Sequence, residues 1–278
     1  MTARTLWLAS YPKSGNTWLR ALLTGWLEDS PVDVNQLVGT PIASSREAFD
    51  AALGIPSSSL TAAEIELVRP RADEVLASEA DEPHLRKIHD AFAVGPQREP
   101  IVSITATRGA LYVIRDPRDV VVSYAHGRNM SFEWARRRLN DPEAALSADE
   151  NRLHEQLPQR LGTWSSHVRS WVDETPFPVE VIRYEDLATT PAERFGPALR
   201  FSGFGDVDER RLARAIECSS FDRLQRAEQD HGFREGHAGR SDFFRRGRPG
   251  SWRDELPAEL AARTKEDHRE VMARFGYD

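Results

Sequence analysis

Apolar residues fill a short run near the N-terminus, Thr5–Ser10, in the continuous manner of a buried strand. After the turn Tyr11-Pro12-Lys13-Ser14-Gly15-Asn16, the spacing becomes helical from about Thr17, through Trp18, Leu19, Leu22, Leu23, Trp26 and Leu27. Segment 30–60 is rich in Pro, Ser and Gly and predicts loop with one short helix. Thr61-Ala62-Ala63-Glu64 has the form of a capping box and starts a helix. Residues 84–91 read as a strand and its exit. Residues 110–115 read as a stronger strand, broken by Asp116-Pro117, with a helix resuming through Ser123. A long amphipathic helix carrying Trp164, Val168 and Trp171 is expected over 150–174. A strand over 179–184 follows, left through Glu185-Asp186-Leu187, with helices over 191–202, 207–217 and 257–274. No internal repeat or long linker divides the chain, so 1–278 is expected to be one α/β domain. Its central sheet should be mostly parallel and flanked by helices, with functional loops at the carboxyl ends of the strands.

Composition narrows the partners. Apolar residues make up 40% and charged residues 29%, enough for a sizeable core. Against 37 Lys and Arg stand 44 Asp and Glu, a net charge of −7, which argues against a nucleic-acid coat protein but leaves room for a local basic pocket. Cys218 is the only cysteine, so an internal disulfide and a cysteine-rich metal site are ruled out. It reads as a small core or helix residue. No apolar run approaches the ~20 residues of a membrane span. The stretch Leu6-Trp7-Leu8-Ala9 is too brief for a signal peptide, so a cytoplasmic protein is expected.

Three segments carry candidate chemistry. The turn 11–18 joins a strand to a helix, where backbone N–H groups converge on an anion. Gly15 allows close approach, Ser14 and Thr17 add hydroxyl donors, and Lys13 adds a positive charge. An ordinary capped turn would look similar. It is not a Walker A loop, since Lys13 precedes Gly15 and no glycine lies upstream. In the second segment Arg115 stands at a strand end and Ser123 lies further along the helix behind Pro117. An arginine and a hydroxyl there can grip a terminal phosphate, or Asp116 caps the helix while the arginines pair with Asp119. The third, Phe243-Phe244-Arg245-Arg246-Gly247-Arg248-Pro249-Gly250-Ser251-Trp252, concentrates basic residues in an acidic chain, with Trp252 as an anchor.

Together these segments resemble the sulfotransferases that use 3′-phosphoadenosine 5′-phosphosulfate (PAPS), in motif and in order along the chain. The resemblance implies a P-loop-like sulfotransferase fold. It assigns Lys13, Ser14, Gly15, Asn16, Thr17 and Trp18 to the 5′-phosphosulfate loop, and Arg115 and Ser123, joined by Arg245, Arg246 and Gly247, to the 3′-phosphate. Phe244 belongs to the same basic loop. Tyr184, Ser219 and Phe221 match family residues near the nucleoside. Lys87-Ile88-His89 is similar to the family's Lys-Thr-His motif, which makes His89 the candidate general base and Lys87 an assistant at the sulfuryl oxygens. Asn16 stands for the usual Thr and Arg246 for Lys. The family's C-terminal dimer motif has no match, so a homodimer stays open but that mode of dimerisation is not expected.

The implied reaction is in-line sulfuryl transfer from PAPS to a hydroxyl of a small-molecule acceptor, with neutral His89 as base, Lys13 at the leaving group and no metal expected. Two rivals remain: a P-loop kinase or NTPase, because Leu111–Ile114 followed by Asp116 mimics a Walker B strand, and a non-catalytic nucleotide-binding module. The acceptor, phenol, alcohol or sugar, is not specified. Residues 30–60, 124–160 and 228–242 are expected as pocket walls and lid, with Gly232, Gly236 and Gly239 in a segment that closes. Phe92, Tyr124, Phe132 and Trp134 are either an apolar wall or core. Arg136-Arg137-Arg138 either attracts an acidic acceptor or is a solvated helix face, the commoner case for such a run.

Overall fold

The computed structural model describes residues 4–28, 30–80, 83–94, 99–149, 151–236 and 243–277. The apolar run forms β1 (Thr5–Ser10), buried at every residue, and the helical pattern behind the turn forms α1 (Asn16–Leu27). Two helices follow, α2 (Arg46–Leu53), capped by Ser45, and α3 (Ala62–Glu79), capped by the Thr61/Glu64 box. They lead to β2 (His84–Ile88), then the short β3 (Ala93–Val94) and β4 (Glu99–Pro100), then β5 (Thr107–Ile114). Beyond β5 come α4 (Pro117–Arg128), α5 (Phe132–Leu139), the short β6 (Ala145–Leu146) and β7 (Gln159–Arg160), α6 (Trp164–Val172) and β8 (Val179–Arg183). The rest is helical: α7 (Tyr184–Thr189), α8 (Pro191–Phe201), α9 (Glu209–Cys218), α10 (Phe221–His231), α11 (Trp252–Glu255), α12 (Ala258–Asp267) and α13 (Arg269–Arg274).

The expected α/β class is the observed one, with a central four-stranded parallel sheet in the order β2-β1-β5-β8. β1 pairs with β2 from Thr5 opposite His84 to Ala9 opposite Ile88. The chain passes from β1 to β2 on one side and later returns as β5 on the other, so the strand order switches at β1/β5. Loops leaving adjacent strands at such a switch diverge and leave room for a ligand.

The chain divides into two compact units. The first comprises residues 1–11, 41–112 and 139–181, the second 12–40, 113–138 and 182–278. Within the first, Phe49, Ile65, Ala72 and Leu157 form one core cluster. Within the second, Ala21, Val32, Val34, Leu37, Leu224, Phe233 and Phe244 form another, with Trp18, Cys218, Phe221 and Phe243 packed against it.

Several expectations need correction. The long helix over 150–174 is only α6, starting at Trp164. Pro158 lacks an N–H, Gly162 takes φ +64°, and Thr163 caps the helix, so residues 151–163 are non-helical and include the strand β7. The helix over 257–274 breaks at buried His268 into α12 and α13. The exit Glu185-Asp186-Leu187 is itself helical, in α7, and α10 has no counterpart in the expected elements. Of the two readings of the aromatic residues, core holds for Phe92, edge-on to Trp171 and Phe177, and for Tyr124, buried beside Trp134. Arg136 is not solvated: it is buried and paired with Glu133 and Asp267, while Arg137 is exposed. Of the expected closing segment, α10 runs to His231, whereas Gly239 and Arg240 lie outside the described residues.

Candidate functional site

The turn after β1 is shaped by two left-handed residues, Lys13 at φ 71° and Gly15 at φ 109°. Only the second is a glycine, so Lys13 holds a conformation that side-chain-bearing residues rarely adopt, a form of strain that clusters at functional loops. Gly15 is required twice over. Its φ disfavours any Cβ, and a Cβ built there would stand 2.5 Å from Cδ2 of Tyr184. The Gly15 carbonyl accepts from Trp18 N and Leu19 N, which starts α1 and presents that helix's N-terminus at the turn. Ser14 is 1% exposed, and its hydroxyl makes no hydrogen bond among the described residues. A buried hydroxyl without a partner is unfavourable unless something it binds completes it.

Arg115 follows β5 and turns toward this loop. Its Nη1 donates to the Lys13 carbonyl at 3.3 Å, its guanidinium lies 4.3 Å from the Tyr184 ring centroid, and its Nη2 is 3.9 Å from Asp119 Oδ2. Its buried Nε has no partner among the described residues. The capping reading of this segment holds: Asp116 caps α4 and binds Arg118, and Arg115 pairs with Asp119 while also bonding the turn. Tyr184 sits between Gly15, Arg115 and Trp18, with the Trp18 ring edge-on at 5.5 Å; burial pushes its hydroxyl pKa up.

The third segment joins the same unit. Asp119 accepts from Gly250 N at 2.7 Å and Trp252 N at 2.9 Å, and Arg118 stacks on the Trp252 ring at 4.0 Å, which is the anchoring expected of that tryptophan. Burial raises the Asp119 carboxyl pKa, opposed by Arg115 and these two N–H donors. Glu228 on α10 receives the N–H groups of Phe243 and Phe244. Phe243 places its ring centroid 4.2 Å from Lys13 Nζ. Gly247, at φ 61°, lies against Phe221 so closely that a Cβ would fall 1.9 Å from that ring. Arg245 and Arg246 meet the Glu255 carboxylate. Thus the second unit gathers Lys13, Ser14, Gly15, Trp18, Arg115, Tyr184, Phe221, Phe244, Arg245, Arg246 and Gly247, with Asn16 and Thr17 in the first turn of α1 and Ser123 half-buried on α4. Ser219 uses its hydroxyl on the Ala215 carbonyl at 2.6 Å and offers its own carbonyl to Trp18 Nε1.

His89 and Lys87 belong to the first unit. Lys87 is half-buried at the end of β2, and its carbonyl accepts from Ala43 N. His89 Nδ1 lies 2.9 Å from the Ser10 carbonyl oxygen, and the His89 carbonyl is 3.0 Å from Nε2 of His167. His167 is fully buried, with Nδ1 2.9 Å from the Tyr112 hydroxyl and its ring edge-on to Tyr11. Burial holds the His167 pKa down to about 4, against hydrogen bonds to the His89 and Asp90 backbone, so it is neutral at pH 7. A carbonyl only accepts, so His167 carries its proton on Nε2 and takes the Tyr112 proton donor on Nδ1. The next residue is pinned as well: Arg69 binds both Asp90 oxygens, at 2.7 and 2.9 Å, and Trp171 Nε1 donates to the Asp90 carbonyl.

The sequence pattern shows Asp119 only as a pairing partner of the arginines and does not mark Gly127, His167 or Glu255 as site residues. Gly127 alone of these carries a local signal, a glycine inside a helix, and a Cβ there would stand 3.2 Å from Lys13 Nζ.

The sulfotransferase domain model matches residues 3–276, and the chain belongs to that family. It is 25% identical to dog sulfotransferase 1A1, covering 98% of this chain and 84% of that protein. It is 24% identical to Arabidopsis thaliana cytosolic sulfotransferase 16, over 92% of this chain and 72% of that one. Among solved structures, mouse sulfotransferase SULT7A1 complexed with PAP superposes with a TM-score of 0.61 at 19% identity, covering 98% of this chain and 86% of that one. The sulfotransferase domain of the Synechococcus PCC 7002 olefin synthase gives 0.52 at 16% identity, covering 99% and 94%. These likenesses establish the fold. No helix among the described residues is long and apolar enough to cross a membrane.

Proposed function

We propose that this chain transfers the sulfuryl group of PAPS to a hydroxyl of a small-molecule acceptor. The observation that carries the reading is the convergence of three distant motifs in one unit: Arg115 bonds the Lys13 carbonyl, and Lys13 Nζ lies over Phe243, two residues before Arg245. Ser14, with its buried unbonded hydroxyl, and Arg115, with its buried unbonded Nε, are donors of the kind that phosphate and sulfate oxygens satisfy. The nucleotide partner also agrees with the mouse SULT7A1 structure, which was solved with PAP.

PAPS supplies, when bound, an activated sulfur attached to a phosphate leaving group. The acceptor oxygen forms the new S–O bond as the bond to the 5′-phosphate breaks. His89 takes the acceptor proton. Because the Ser10 carbonyl accepts from its Nδ1–H, the lone pair resides on Nε2, the nitrogen suited to act as base. Lys13, with the N–H groups at the start of α1, offsets the charge that grows on the leaving phosphate. Lys87 is assigned to the sulfuryl oxygens.

The experiment is calorimetry with adenosine 3′,5′-bisphosphate together with an acceptor screen using labelled PAPS. Micromolar binding and label transfer without added Mg²⁺ are expected. Binding of ATP with Mg²⁺-dependent hydrolysis, or tight nucleotide binding with no transfer to any phenol, alcohol or sugar, would replace this reading with one of its rivals.

A further inference from the structure

Glu255 closes α11, and four charged or titratable nitrogens surround its carboxylate. Arg245 donates Nη1 to Oε2 at 3.0 Å and Nη2 to Oε1 at 2.9 Å. Arg246 Nη1 is 3.2 Å from Oε1, and His126 Nε2 on α4 is 2.8 Å from Oε2. The Glu255 side chain is 12% exposed and that of Arg245 26%, so the cluster is shielded on the carboxylate side and open on the arginine side. Arg246 lies also 3.6 Å from Asp254, which in turn pairs with Arg248. Two guanidinium groups on adjacent residues repel one another. A carboxylate shared between them offsets that repulsion and lets both heads point to one place. Burial would favour its neutral form, but the hydrogen bonds from Arg245 and His126 outweigh this and hold Glu255 below the usual carboxylate range.

The contact leaves donors available. A guanidinium has five N–H groups, and end-on pairing through Nη1 and Nη2 of Arg245 leaves its Nε edge for a second anion. We infer that Glu255 is a positioning residue for recognition of the 3′-phosphate: it gathers Arg245, Arg246 and His126 into a cluster that selects nucleotides carrying a phosphate monoester on the ribose. The inference rests on the reading of the 243–253 loop as the 3′-phosphate end of the nucleotide site. Two arginines against one carboxylate leave the cluster net positive, as selection of a phosphate dianion requires.

The test is calorimetric affinity of the full chain for adenosine 3′,5′-bisphosphate and for adenosine 5′-monophosphate, in the wild type and in Glu255→Gln. The wild type should prefer the bisphosphate. Glu255→Gln should weaken the bisphosphate about tenfold, the scale of one charge-assisted hydrogen bond, and leave the monophosphate unchanged. Glu255→Asp, which keeps the charge one methylene short, should retain part of the preference, and so provides the readout if the Gln variant fails to fold. Asp254→Asn should retain all of it. Unchanged or tighter bisphosphate binding by Glu255→Gln would make the carboxylate a competitor of the phosphate and overturn the inference alone. A wild type that binds both nucleotides equally would instead overturn the 3′-phosphate assignment beneath it.

Discussion

His89 Nδ1 is held 2.9 Å from the carbonyl oxygen of Ser10, the last residue of β1 and three residues before Lys13 in the chain. That single hydrogen bond selects the tautomer with its lone pair on Nε2. Together with the His167 contact on its own carbonyl, it ties both the ring and the backbone of the proposed base to buried groups.

His89→Asn should therefore lower the turnover of labelled PAPS by about 10²–10⁴-fold, the usual contribution of a general base. Its calorimetric affinity for adenosine 3′,5′-bisphosphate should stay within error. Turnover near that of the wild type would remove His89 from the mechanism.

Lys13→Ala should reduce both nucleotide affinity and rate, the latter by about 10²–10³-fold, as when one donor to a developing anion is removed. Gly127→Ala places a methyl 3.2 Å from Lys13 Nζ and should give a milder form of the same defect, while circular dichroism shows an intact fold.

Gly15→Ala meets two obstacles, a left-handed φ and the Tyr184 ring. A loss of about 1–3 kcal/mol in denaturant-melt stability is expected. Nucleotide binding should be lost even at temperatures where the variant remains folded. Gly54→Ala is the control: it shares the positive φ but meets nothing within 4 Å, so it should be destabilised without losing nucleotide binding.

His84, His167 and His268 each have a pKa depressed to about 4, with burial the largest cause. Between pH 6.5 and 4 the unfolded chain binds more protons at these sites than the folded one. Stability from this source is complete above about pH 6.5 and falls as pH drops toward 4, by at most about 1.4 kcal/mol per pH unit for each histidine. Denaturant melts across that range should show the slope. His167→Gln should flatten it by about one proton and lower stability at pH 7, through loss of the Tyr112 and His89 hydrogen bonds.

Much of the site was legible because its signals are local. A glycine at a strand-to-helix turn, an arginine at a strand end and a run of basic residues between glycines each state their chemistry within a few positions. Tyr184 and Phe221 were visible only as matches to a family pattern. Their packing against Gly15 and Gly247 brings together residues 169 and 26 positions apart in sequence. The failed helix over 150–174 shows the opposite limit. Trp164, Val168 and Trp171 do share a helical face, but periodicity says nothing about where Pro158 and Gly162 stop it.

By itself the sequence determined the strand–turn–helix units, the α/β class, and the loops that bear lysine and arginine, since hydrophobic period, capping and turn preference act between near neighbours. Only the tertiary structure decided which nitrogen of His89 bears the proton, that Glu255 unites two arginines with His126, and that Gly127 leaves room for Lys13. Each of those is a contact between side chains or carbonyls far apart in the chain, and hydrogen-bond direction and close packing come into being only when the backbone has brought such groups within about 3 Å of each other.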